Sequence, residues 1–190
     1  MRVVAALYVD PRGPCTAMPS VECWDEARDA RGYDGPHPVV AHPPCGAWGR
    51  LRHLHRAPDY DCGPRAVEQV RRWGGVLEHP RGSALWRACS LPLPGEPADG
   101  IGGFSVEVEQ VAWVHVARKT TWIYVVGAAR AEVEREVRTG GVPTHWVSGR
   151  RGARRGGAGG AVPPGIKVCS APQRRRTPPA FAAWLVSIAR

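Results

Sequence analysis

The chain has 190 residues, with 26 Lys or Arg against 17 Asp or Glu, so its formal net charge is +9. This length corresponds to one domain that can bury a core without disulfide bonds. Hydrophobic residues make up 43%, which excludes a wholly disordered chain, and no apolar run reaches the ~20 residues of a membrane span. The apolar run at residues 3–9 is too short for a signal peptide. We therefore expect a cytoplasmic protein that does not enter membranes.

The positive charge is concentrated near the C-terminus. No Asp or Glu follows Glu136, and the last 54 residues carry ten basic side chains, whereas the first 136 carry 16 basic and 17 acidic ones. This asymmetry predicts a polyanionic partner, most simply a nucleic acid. The alternative is a solvated surface in an Arg-rich chain, because 24 of the 26 basic residues are Arg. The candidate contacts are Arg150, Arg151, Arg154, Arg155, Arg174, Arg175 and Arg176.

The six cysteines are spread along the chain without a CxxC pair, so neither a disulfide framework nor a zinc finger is expected. His53, His55 and Cys62 could form part of a zinc site, but no fourth ligand stands at the usual spacing. We therefore predict no metal.

The first half of the chain reads as strands that alternate with short helices. Residues 3–9 are a continuous apolar run before a Pro- and Gly-containing turn, which predicts a buried strand. Residues 22–31 suit a short helix or an acidic loop. Residues 38–41 form a second apolar strand. Residues 64–73 predict a helix, with Pro in the first turn and two Gly after it. Residues 76–78 predict a further strand.

The second half continues the same alternation. Residues 81–105 are mostly loop; residues 105–113 and 120–127 predict strands, and residues 129–137 a helix. Residues 150–164 consist largely of Gly, Arg and Ala without periodicity, which is typical of a flexible loop. Residues 178–190 predict a closing helix with Pro at its start. The pattern indicates an α/β fold, with a mostly parallel sheet and helices on both faces.

Three predicted strand ends carry reactive side chains. Cys45 follows the second strand after His42-Pro43-Pro44, and Glu78 ends the strand at 76–78. Arg118 and Lys119 precede the strand at 120–127. Ligands bind beside the carboxyl ends of strands in such sheets. A following helix start would lower the thiol pKa of Cys45, and desolvation would raise the carboxyl pKa of Glu78. Taken alone, each motif is better explained by a structural role, as a turn, a cap or a solvated pair.

The order of the three motifs resembles the DNA cytosine-5 methyltransferases, in a truncated, phage-type form. Pro43-Pro44-Cys45 matches the family's Pro-Pro-Cys, whose Cys is the nucleophile. Glu78-His79-Pro80 is similar to its Glu-Asn-Val, whose Glu contacts the cytosine ring. Lys119 and Thr121 stand where the two Arg of its Gln-x-Arg-x-Arg segment would lie. The resemblance implies a reduced, Rossmann-like methyltransferase fold, modification of a pyrimidine at C5 and catalytic roles for Cys45, Glu78, Arg118 and Lys119.

The resemblance also implies DNA, rather than RNA, as the nucleic-acid partner, and it implies a cofactor and a division of the chain. S-adenosylmethionine would lie near Asp10, Gly13, Asp25 and Pro43. The implied domains are a catalytic core at 1–127, a basic Gly/Arg-rich region at 128–165 that replaces a target-recognition domain, and a segment at 166–190 that returns to the core.

The chain departs from the family where the cofactor would bind. Only about 35 residues separate the first strand from Cys45, the first turn lacks a Gly-x-Gly, and the second Arg of the third motif is absent. A different one-carbon donor, a free pyrimidine nucleotide as substrate, and a non-catalytic nucleic-acid-binding accessory protein on the same fold remain alternatives.

Overall fold

The computed structural model describes residues 2–50, 52–56, 61–147 and 165–190. Its centre is a six-stranded sheet in the order β2-β1-β3-β4-β6-β5. The strands are β1 (Val4–Leu7), β2 (Val21–Trp24), β3 (Val39–Ala41), β4 (Gly75–Pro80), β5 (Phe104–Glu109) and β6 (Thr120–Val126). The pairs among β1 to β4 are parallel, and β6 pairs antiparallel with both β4 and β5. The prediction of a mostly parallel α/β sheet is confirmed.

Helices cover both faces of the sheet, as predicted. The helices are α1 (Cys62–Trp73), α2 (Ala84–Ala88), α3 (Arg130–Glu136), α4 (Ala171–Arg175) and α5 (Pro179–Ala189). Side chains alternate between the faces of a strand. Val4, Val40 and Val76 therefore join the core on the α5 side. Leu7 and Leu77 join the core on the α1 side.

The two covering helices follow from local sequence. In α1, the side chains of Ala66, Val67 and Val70 are buried on one face, and Gly74 ends the helix at a positive φ of 76°. In α5, nearly every apolar residue is buried, so the helix is held between the sheet and Trp113, whose ring centroid lies 4.9 Å from that of Trp184.

Two expectations for local structure are wrong. Residues 21–24 form β2, an edge strand, instead of a helix or loop, because parallel pairing with β1 supplies their backbone hydrogen bonds. The predicted strand at 105–113 ends at Glu109, and residues 110–113 form a 3-10 turn. The segment 81–105, predicted to be mostly loop, also contains the short helix α2, whose first turn is capped by the Ser83 side chain accepting from the Leu85 N–H. The remaining small elements are 3-10 turns and the two-stranded pair β7 (His145–Trp146) and β8 (Lys167–Val168).

Within the described ranges, none of the helices has the length and apolar character needed to cross a bilayer. The predicted flexible loop at 150–164 lies outside the described residues.

Candidate active site

Two of the predicted motif residues meet at one edge of the sheet. β3 ends at Ala41, which pairs with Leu77 of the parallel strand β4, and Glu78 is the next residue along β4. Cys45 follows β3 after the two prolines, so it leaves the sheet at the same edge. This is the carboxyl edge of the parallel strands, where such sheets bind ligands.

Glu78 lies at the centre of a polar cluster. Its side chain is buried, with only 8% of the residue exposed. Oε2 lies 3.0 Å from Nδ1 of His42. Oε1 accepts a hydrogen bond from Nε2 of Gln110 at 3.1 Å and lies 4.0 Å from Nζ of Lys119. Nε2 of Gln110 also donates to Oγ1 of Thr121 at 2.9 Å. We call these five side chains the Glu78 cluster.

The charge state of Glu78 differs from the expectation. Burial raises the carboxyl pKa, but the Lys119 charge, the His42 hydrogen bond and the charges of His42 and His79 together outweigh it, and the pKa falls to about 2. The predicted raised pKa of this group is therefore wrong. At neutral pH the side chain is a carboxylate, which accepts hydrogen bonds and donates none.

Cys45 lies near enough to Glu78 for the charge of this carboxylate to act on its thiol. All six cysteines lie in the described part of the chain and have free thiols, and Cys45 is the most exposed of them. Its pKa is raised, first by loss of hydration around the sulfur and then by the negative charge of Glu78; Lys119 and Arg175 act in the opposite direction. The expected lowering of the thiol pKa is therefore wrong. It required a helix that starts directly after Cys45, but a turn follows instead, in which the Cys45 carbonyl accepts from the Gly49 N–H at 2.8 Å. The thiol needs a base before it can attack.

Lys119 and Arg118 separate at the start of β6. Lys119 directs its ammonium group to Glu78, with 20% of the side chain exposed. Arg118 is exposed and borders a groove of about 240 Å³ that is also lined by Val108, Val111 and Val137. The cluster therefore contains one of the two predicted cations, and a catalytic role for Arg118 stays a prediction without a contact to support it.

The helix α4 brings part of the basic C-terminal region near the thiol. Nε2 of His115 lies 3.2 Å from the carbonyl oxygen of Gln173, and the Gln173 side chain caps the helix together with Ser170. These contacts fix the position of Arg175, whose charge acts on Cys45. Its neighbours Arg174 and Arg176 lie on the same short segment. The other predicted nucleic-acid contacts, Arg150, Arg151, Arg154 and Arg155, lie outside the described residues.

The predicted cofactor residues are occupied with local contacts. Oδ1 of Asp10 accepts from the Arg12 N–H at 2.8 Å, and Gly13 N–H closes the same turn on the Asp10 carbonyl at 2.7 Å. Oδ1 of Asp25 accepts from the Arg28 N–H at 3.0 Å, and Pro43 is buried.

The side chain of Arg28 covers the surface at the end of β2, where the cofactor was expected. The Arg28 guanidinium stacks 3.8 Å above the Trp24 ring and ion-pairs with Glu22. This arrangement does not provide the fit for S-adenosylmethionine that the resemblance implies, and we derive no step through that cofactor. Among the described residues, no three His, Cys, Asp or Glu side chains are grouped so that they could hold a metal ion.

The site also contains two residues that the sequence analysis did not assign. His42 directly precedes the Pro-Pro-Cys motif, so its position directly after a buried strand was the available signal. Gln110 is fully buried, but Glu109 precedes it and the local sequence contains no signal that this amide would be buried. Comparison of the chain with protein-family models and with curated proteins returned no match.

Proposed function

We propose that the protein is an enzyme that modifies a pyrimidine at C5 through a covalent bond between Cys45 and C6 of the ring, with cytosine in DNA as the substrate. The observation that carries this proposal is the meeting of Cys45 and Glu78 at one sheet edge, with the charge of the carboxylate acting on the thiol. If Cys45 and Glu78 lay at different edges of the sheet, they could not both contact one pyrimidine ring.

The topology supports a ligand site at this place. The order β2-β1-β3-β4 reverses direction between β1 and β3, which is the switch point where doubly wound sheets bind ligands. Cys45 follows β3, which borders this point, and Glu78 lies on the next strand, β4. The doubly wound order is 3-2-1-4-5-6. Without its first edge strand, that order begins with the same arrangement of four parallel strands as β2-β1-β3-β4. A Rossmann-like, reduced methyltransferase sheet is the finer form of the fold that we propose on this basis.

The chemistry assigns a task to each charged group. The thiolate of Cys45 attacks C6, and the electron pair of the C5–C6 double bond moves into the ring, where Lys119 stabilises the negative charge that develops. C5 then forms a bond to the one-carbon group of a donor, and the bond between that carbon and the donor breaks with its electron pair staying on the donor. A base removes the C5 proton, the double bond re-forms, and sulfur leaves with the electrons of the S–C6 bond.

The ionised state of Glu78 indicates how the base is recognised. A carboxylate accepts hydrogen bonds, and the exocyclic amino group of cytosine is a donor on the edge of the ring. Oε2 has a second lone pair beyond its contact with His42, so Glu78 can accept from the amino group while His42 and Gln110 hold it. This role replaces protonation of the ring nitrogen, which an acid of pKa about 2 cannot perform at neutral pH.

The partner follows from charge. Arg174, Arg175 and Arg176 lie within one turn beside the site, and a phosphate backbone would bind such a cluster with strong salt dependence. A cytosine in a duplex would have to leave the base stack to reach Cys45.

The test is the release of tritium from DNA that contains [5-³H]cytosine. Addition of Cys45 to C6 makes C5 basic, so C5 takes up a solvent proton and returns tritium to water without any donor. We expect release by the native protein, none by Cys45→Ala, and normal release by Cys62→Ala, a control at a partly exposed thiol. RNA and free cytidine nucleotides are run as separate substrates.

A second measurement traps the adduct and identifies the donor. DNA with 5-fluorocytosine is incubated with S-adenosylmethionine or a folate, and an adduct is sought on the Cys45 peptide by mass spectrometry. Donors are first ranked by the rise in melting temperature that they cause. Absence of both tritium release and adduct with every substrate would overturn the proposal.

The basic segment supports a second candidate, a non-catalytic nucleic-acid-binding accessory protein. In that case Cys45→Ala would bind DNA as the native protein does and would leave every measured activity intact. Replacement of Arg174, Arg175 and Arg176 by Gln would weaken binding and reduce its salt dependence. Unchanged binding after that replacement would exclude this candidate for the described segment.

A further inference from the structure

His42 has no counterpart among the motif residues that define the proposed reaction, yet its placement is closely determined. Its backbone N–H donates to the carbonyl of Leu7 at 3.0 Å, which ties it to β1. Its side chain is 13% exposed, and Nδ1 contacts Glu78. Two prolines with fixed φ connect it to Cys45. The imidazole and the thiol are therefore carried on one short, stiff segment.

The contact with Glu78 fixes the proton on the imidazole. A carboxylate only accepts, so the Nδ1 atom that lies 3.0 Å from Oε2 must be the protonated one. In the neutral ring this leaves the lone pair on Nε2, which makes no hydrogen bond to a described residue. The Gln110 amide donates from Nε2 to Oε1 of Glu78 and to Oγ1 of Thr121. These two bonds orient the amide, which in turn holds the second carboxylate oxygen of Glu78 in place.

We propose that His42 is the base that takes the Sγ proton of Cys45, with Glu78 as its orienting partner. The S–H bond breaks, its electron pair stays on sulfur, and the proton bonds to Nε2 of His42. The carboxylate of Glu78 stabilises the imidazolium ion that forms on His42. The three residues then act as a nucleophile, a base and a carboxylate that orients the base, as in a catalytic triad. When the thiol is regenerated, the proton returns to sulfur. The proposal rests on the proposed function only for what the thiolate then attacks.

Several charged groups face this exchange and set its balance. Glu78 opposes the thiolate directly, whereas Lys119 and Arg175 favour it. The ring of His55 lies against Gly46, next to Cys45, and is a second imidazole within the same loop. His55 is exposed and has no carboxylate partner among the residues that the structure describes. Orientation by a carboxylate therefore distinguishes His42 from His55.

The experiment measures alkylation of Cys45 by iodoacetamide between pH 5 and pH 10, with the modified peptide quantified by mass spectrometry. The variants are His42→Gln, His42→Asn and the matched control His55→Gln. Asn places an amide N–H near the position of Nδ1 and keeps the bond to Glu78, but it lacks a base. Urea unfolding confirms that each variant is folded.

We expect both His42 variants to lose at least about tenfold in alkylation rate at pH 7, with profiles moved upward by one pH unit or more. His55→Gln should follow the native profile. A folded His42→Asn with the native profile, or a displaced profile for His55→Gln, would overturn the assignment. No pyrimidine is present in this assay. Tritium release without a shift in alkylation would thus count against His42 alone, and the reverse result against the pyrimidine substrate alone.

Discussion

The replacement Glu78→Gln removes one negative charge from the buried centre of the Glu78 cluster. In the native protein the pKa of this carboxyl falls from 4.5 to about 2, because the nearby cations outweigh the cost of burial. A pKa that is lower in the folded state stabilises the fold above the unfolded pKa. This stabilisation is lost as the pH falls from about 4.5 toward about 2.

The difference between the two pKa values corresponds to about 3 kcal/mol of unfolding free energy above pH 6. About 1 kcal/mol of it is lost at pH 4 and about 2 kcal/mol at pH 3. The stability difference between the native protein and Glu78→Gln should therefore shrink by these amounts. Urea unfolding, followed by tryptophan fluorescence at each pH, measures it directly.

Glu68→Gln is the matched control, because Glu68 forms a surface ion pair with Arg65 at 3.0 Å and such pairs contribute little. Its stability difference should stay nearly constant with pH. If the Glu78→Gln difference were also constant between pH 7 and pH 3, the cations would not hold this carboxyl ionised. If the difference grew on acidification, Glu78 would be protonated in the fold, and the proposed hydrogen bond from a cytosine amino group would fail.

Two further predictions use matched pairs of residues. Gly75→Ala should destabilise the fold by roughly 3 kcal/mol or more, because its Cβ would meet the Val39 backbone, whereas Gly82→Ala, also at positive φ but in open space, should cost about 1 kcal/mol. Equal losses in urea unfolding would refute the close approach of β3 and β4. Arg175→Gln should slow alkylation of Cys45 about twofold at low salt, and Arg176→Gln should not. Equal rates for these two variants would place Arg175 away from the thiol.

The strands and covering helices could be predicted because their signals are local. The apolar run of β1, the Pro and Gly that bracket α1 and the alternation of strands with helices follow from neighbouring residues. β2 could not be predicted in this way. Its four half-exposed residues carry no clear periodicity, and only the pairing with β1 makes them a strand. The cap that begins α2 was hidden in a segment rich in Pro and Gly.

The site was predictable at the level of strand ends but not at the level of charge. Motif order places Cys45 just after β3 and Glu78 on the adjacent strand β4. It gives neither the pKa of Glu78, which depends on Lys119 at the start of β6, far along the chain, nor the buried amide of Gln110. These contacts join residues 32 to 41 positions apart, and their geometry is set by how β6 inserts between β4 and β5.

The position of α5 has a consequence for how the molecule folds during synthesis. α5 is the last element in chain order, and it covers Val4, Val40 and Val76 on one face of the sheet. The ribosome adds about 5 to 20 residues per second, so this apolar face stays open to water and to other chains until α5 has emerged. A chain whose translation stops before residue 179 could still form the contacts of the Glu78 cluster. Its sheet would expose the apolar face that α5 covers, so this chain would be prone to aggregation or degradation.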